Sequence, residues 1–83
     1  MEFIAQRGEV IIMDDESCYL VLKNIEFNGE AYHRTVKTGD YLFDEDFEVD
    51  KDEKIYLKEV IENNECFYEF VSDPEIIKIL KTL

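Results

Sequence analysis

Apolar and polar positions change their period several times along this chain, and each change marks an element. Val10 to Met13 is a short apolar run closed by Asp14-Asp15-Glu16-Ser17, which predicts a strand and a turn. From Cys18 to Phe27 the pattern predicts a longer strand, with Tyr19, Val21, Ile25 and Phe27 on one face and Cys18, Leu20 and Leu22 on the other. A strand that is apolar on both faces belongs in the middle of a sheet. Asn28-Gly29 then supplies two residues that tolerate positive φ, as a type I′ hairpin requires. A two-residue loop sets Ile25 opposite Tyr32, Val21 opposite Val36, and Lys23 opposite Arg34. The last pair is unfavourable unless acids flank it.

Thr38-Gly39-Asp40 breaks the next strand. From Tyr41 to Asp52 the odd positions carry Tyr41, Phe43, Glu45, Phe47 and Val49, and the even ones carry Leu42, Asp44, Asp46, Glu48, Asp50 and Asp52. This is the period of a strand with one wet face, although Asp and Glu are poor strand formers and an irregular edge or loop fits as well. A second hairpin follows, Ile55 to Glu62 and Glu65 to Val71 around Asn63-Asn64. Its two-residue loop pairs Lys58 with Glu69 and Leu57 with Phe70, and gathers Ile55, Leu57, Ile61, Cys66, Tyr68 and Phe70 on one face. The C-terminus reads as a helix. Ser72 and Glu75 have capping-box spacing, Pro74 suits the first turn, and Ile76, Ile77, Ile79, Leu80 and Leu83 form an apolar stripe. Lys78 and Lys81 sit late, where positive charge suits the helix dipole.

Together these elements predict an α+β fold in one domain, residues 1–83: a small, mostly antiparallel sheet of four or five strands with one C-terminal helix packed on one face. A sheet with two apolar faces cannot leave both wet, so the helix must cover one. Composition adds that the chain folds. Apolar residues make up 46%, with six Phe and five Tyr, whereas a disordered acidic tail is poor in both.

Charge narrows the partners. The net charge of −12 comes from 21 acidic and 9 basic residues. It disfavours direct nucleic-acid contact, which needs Lys and Arg, and anionic membrane surfaces. It permits docking on a basic protein. The N-terminus lacks the basic region and apolar run of a signal peptide, and no stretch approaches the ~20 apolar residues of a membrane helix. Cys18 and Cys66 form no CxxC, and the single histidine cannot complete a zinc set with them. A reduced, cytoplasmic setting with structural thiols buried among apolar neighbours is the simplest reading.

The order of these elements resembles a known family. An apolar strand leads to the acidic turn Asp14-Asp15 and a strand ending Ile25-Glu26. An Asn-Gly-Glu turn enters Tyr32, an acidic middle follows, and a hairpin precedes Asp73-Pro74-Glu75 and a short apolar helix. Over roughly residues 9–83 this resembles the YrzB-like small acidic bacterial proteins, a family defined by a domain of unknown function. The resemblance implies the fold above and carries no functional residue across.

The chemistry-bearing candidates are few. The acidic row Asp44, Asp46, Glu48, Asp50 and Asp52 alternates like an EF-hand loop. Counted from Asp44, however, Val49 falls where the loop needs its glycine and Ile55 where it needs its bidentate Glu. The row reads as a solvated face or as a binding surface for a basic partner. His33 would need a nucleophile or a carboxylate in contact to act as a base, and a lone strand histidine is more often structural. No catalytic residue, metal ligand or cofactor site stands out.

The favoured function is a non-enzymatic acidic protein-interaction module that binds a basic partner. One alternative is a nucleic-acid mimic that inhibits a DNA- or RNA-binding protein. Side chains on one strand face recur every ~6.7 Å, against one charge per ~3.4 Å along a DNA strand, so a single row reaches about half the density needed. The other alternative is a small enzyme or ligand-binding protein, which would need a concave pocket of convergent polar groups.

Overall fold

The computed structural model describes residues 2–38 and 54–83. Among them, five strands run in sequence order in one antiparallel sheet: β1 Val10–Ile12, β2 Cys18–Phe27, β3 Glu30–Lys37, β4 Ile55–Glu62 and β5 Glu65–Phe70. Helix α1 covers Pro74–Leu80. Both asparagine-containing hairpins form where the sequence puts them. Asn28, Gly29, Asn63 and Asn64 all take positive φ, between 52° and 77°, as paired left-handed loop residues must. Lys58 stands opposite Glu69 and Leu57 opposite Phe70, as expected. The ion pair made by Lys58, however, goes to Glu30, at 3.6 Å.

The first hairpin follows the expected register only part of the way. Ile25 faces Tyr32 and Lys23 faces Arg34, but Val21 faces Thr35 rather than Val36, which pairs with Leu20. A bulge between Val21 and Lys23 adds one residue to β2. An extra residue reverses which face the later positions use. Tyr19 and Val21 therefore do not share a face with Ile25 and Phe27. The former pack with Ala5, Ile11 and Leu57, and the latter with Tyr32, Tyr56 and Leu80.

The sheet thus has two cores. The helix covers one of them. Leu80 is fully buried there, with Ile76 and Ile77 beside it, while Ile79 and Leu83 at the edges of the expected stripe stay exposed. The opposite face curls over itself. The rings of Tyr19 on β2 and Phe70 on β5 meet at 5.6 Å across two intervening strands. Residues 3–9 close this concave side. Ala5 is buried in its core, and backbone bonds link Gly8 N to Val21 O and Val21 N to Glu9 O at the bulge.

Among the described residues, the cross-strand cations Lys23 and Arg34 are held at the helix end. Arg34 Nη2 donates to the main-chain oxygens of Leu80 (3.0 Å) and Leu83 (3.2 Å), and Lys23 Nζ donates to Leu83 O at 2.8 Å. Leu80 O belongs to the last turn of the helix, whose carbonyls have no intrahelical donor, and Leu83 lies three residues beyond it. At the other end the cap is Asp73, not Ser72: its carboxylate accepts from Glu75 N at 2.9 Å, with Pro74 at the first helical position. Asp73→Ala is therefore expected to cost about 0.5–2 kcal/mol of stability and Ser72→Ala nearly nothing. Urea midpoints of the two variants check this, and equal effects would reassign the cap.

Candidate functional site

The most chemically distinctive place in the described residues is a buried polar chain on the concave face. It is built by strand register. On β3, His33 lies directly opposite Asn24 of β2 and Leu57 of β4. Glu59 on β4 lies opposite Ala31, two residues from His33 along β3. Diagonal neighbours of this kind are within reach of long side chains, and the small Ala31 leaves the space open. His33 Nε2 meets Glu59 Oε2 at 2.5 Å, and Nδ1 meets Asn24 Oδ1 at 2.8 Å. Asn24 Nδ2 points to Gln6 Oε1 at 3.4 Å, which fixes the way its amide is turned. Both ring nitrogens therefore face oxygen atoms.

The N-terminal segment completes the site. Ile4 N donates to Glu59 Oε1 at 2.8 Å. The Phe3 ring stands edge-on to the imidazole with centroids 5.6 Å apart, and Tyr68 lies on another side at 5.8 Å. The side chains of His33 and Glu59 are 0% and 2% exposed, and among the described residues every buried side-chain nitrogen or oxygen has a partner. The phenol of Tyr68 is held in its neutral form well above the usual range. Burial is the main cause, followed by its hydrogen bond with Cys66 and the negative charge of Glu59.

A histidine with a carboxylate partner is the base-and-orienter half of a nucleophilic site. Here Nδ1 is taken by Asn24 and Nε2 by Glu59, and the ring is sealed by Phe3 and Tyr68. Among the described residues, the Thr35 hydroxyl donates to Ile55 O and that of Ser17 to Asp15. The geometry ties four segments together: residues 3–6, β2, β3 and β4. The sequence pointed to His33 and missed Glu59. The missed signal was a single acid interrupting an apolar alternation, Ile55, Leu57, Glu59, Ile61.

The other candidates fall elsewhere. The acidic row Asp44, Asp46, Glu48, Asp50 and Asp52 lies outside the described residues. Cys18 and Cys66 are free thiols and only half-buried, not buried as expected: Cys66 lies on the outermost strand β5 and Cys18 is the first residue of β2. Among the described residues no group of three or more His, Cys, Asp or Glu side chains is arranged to hold a metal ion. No helix there is long and apolar enough to cross a membrane. On the helix side two adjoining hollows, of about 470 and 380 Å³, share Arg34 and Lys54 in their walls. Arg7 and Lys23 border the second and Lys81 the first, a basic collar around the helix end. No family model matches the chain, and neither a curated protein nor a solved structure does.

Proposed function

We propose that this chain is a non-enzymatic acidic interaction module that docks on a basic protein partner in a reduced, cytoplasmic setting. The observation that carries the reading is the division of its carboxylates. Eight of the 21 acids fall between residues 40 and 53, and of the thirteen described ones twelve are exposed. The single buried one, Glu59, is fully engaged by His33 and the Ile4 amide. The charge of the described acids is thus carried on the surface and is not drawn into an enclosed site, which favours long-range attraction of cationic surfaces. Residues 40–53 carry −7 of the −12, because Lys51 is their only base.

The test compares the parent with a variant carrying Asp46→Asn, Glu48→Gln and Asp50→Asn. Proteins retained from a host extract at about 50 mM salt are identified, and their release is followed toward about 500 mM, where the screening length has fallen to about 4 Å. A basic partner released by salt and lost by the variant, with the melting temperature unchanged or slightly raised, is the expected result. Equal retention by parent and variant, indifferent to salt, overturns the proposal. Loss of folding in the variant would show that these carboxylates are structural.

A further inference from the structure

We propose that the open edge of β5 is the docking strand of this module, and that it takes an extended partner segment alternating basic and apolar residues. This rests on the interaction reading above and names its surface. Among the described residues β5 pairs only with β4, which leaves its other side as a sheet edge. The direction of its backbone groups follows from one bond, Val71 N to Tyr56 O at 2.9 Å. Opposed residues in an antiparallel ladder alternate between bonded and non-bonded pairs. With Tyr56 and Val71 bonded, the register makes Lys58–Glu69 and Val60–Phe67 bonded as well. Cys66, Tyr68 and Phe70 then direct their N–H and C=O groups outward, to the open edge.

Protein edges are ordinarily protected by charged side chains, Lys above all, by Pro, by bulges or by brevity. The sequence of β5, ECFYEF, has no Lys or Pro; its charges are Glu65 and Glu69, which repel an acidic strand and suit a basic one, and Phe67 and Phe70 are 45% and 51% exposed. The two faces of this edge differ. Glu65, Phe67 and Glu69 lie on the helix side, and Cys66, Tyr68 and Phe70 on the concave side. An added strand puts successive side chains on alternate faces. Its residues beside Glu65 and Glu69 are matched by Lys or Arg, and those beside Cys66, Tyr68 and Phe70 by apolar groups. Hollows flank both ends of the edge. One of about 100 Å³ lies between Ile12–Asp14 and Cys66–Tyr68, and one of about 170 Å³ lies beyond Phe70, toward Asp73 and Ile76. A second copy of this chain is disfavoured as occupant, since each brings −12.

The probe is a short synthetic peptide alternating Lys and Val, compared with the same peptide N-methylated at alternate residues, which keeps its charge and removes its ladder donors. Binding to the full chain is measured at about 50 mM and about 500 mM salt, with amide hydrogen exchange on the complex. The expected result is binding that weakens with salt and falls roughly tenfold or more on N-methylation, the equivalent of about 1.4 kcal/mol. New protection is expected at the amides of Cys66, Tyr68 and Phe70 and not at Phe67 or Glu69, which already face β4. Phe67→Lys, at an exposed position between Glu65 and Glu69, should retain the fold and weaken the probe further, because it sets a like charge against the lysines of the probe. Salt-sensitive binding that ignores N-methylation overturns the edge assignment and leaves the acidic-module reading standing. Failure of both peptides to bind at low salt overturns both.

Discussion

Replacing Glu59 by Ala is expected to lower the unfolding free energy by about 2–4 kcal/mol, the cost of leaving hydrogen-bonding groups at a buried site without their acceptor. A domain of this size holds roughly 0.05–0.15 kcal/mol per residue, about 4–12 kcal/mol in all, so the variant should be near unfolding. The cause is not only the lost attraction. Glu59 faces His33 Nε2 and accepts from Ile4 N, so its removal leaves a buried imidazole nitrogen without its partner, which is costly away from water, and a part-buried backbone donor without its acceptor. The measurement is the urea midpoint of the variant beside the parent. Amide exchange at Ile4 adds a local readout, since that N–H should exchange faster once its acceptor is gone. The double variant His33→Leu/Glu59→Met replaces the pair by apolar groups of similar volume and should recover part of the loss. An unchanged midpoint in Glu59→Ala would refute the view that this pair holds the N-terminal segment on the sheet.

Leu80→Ala should cost about 2–5 kcal/mol, the range for emptying a fully buried leucine site. Leu80 is 0% exposed between Ile25, Tyr32 and Tyr56. It is the only buried residue of a seven-residue helix, and a helix so short does not persist without tertiary packing. Its loss should therefore undock α1 and uncover the whole helix-side core, not merely leave a cavity. Ile79→Ala, one residue away but 40% exposed, is the control and should change the denaturant midpoint little. Equal effects from the two variants would mean that the helix docks through a different face.

These two positions show how differently the sequence disclosed its parts. Leu80 stood in a stripe with helical period, and Pro74, Asp73 and the late lysines marked the ends of that helix, so its burial was legible. The width of the stripe was not, because Ile79 and Leu83 satisfy the same period while pointing past the sheet. Ser72 was a plausible cap by spacing alone. Asp73 took the role because Pro74 occupies the first helical position, leaving its predecessor to accept from Glu75 N.

What the sequence by itself determined is what short-range backbone chemistry controls: the short first strand, the two hairpins and the presence of the helix. Asn-Gly and Asn-Asn can adopt consecutive left-handed conformations at low cost, so each turn set its own register for the residues beside it, and the second hairpin followed that register from Glu62 to Leu57. The tertiary structure decided everything that required distant segments to meet. The bulge in β2 carries no local signal in Leu20-Val21-Leu22. It forms because the curled sheet needs Tyr19 and Val21 beside Leu57, while Ile25 must face the helix. The burial of Glu59 likewise depends on His33, 26 residues away, and on Ile4, 55 residues away. A carboxylate enters a core only where its hydrogen-bond partners are already held in place. Alternation along one strand shows which face a residue occupies, but not what the opposite segments will bring to it.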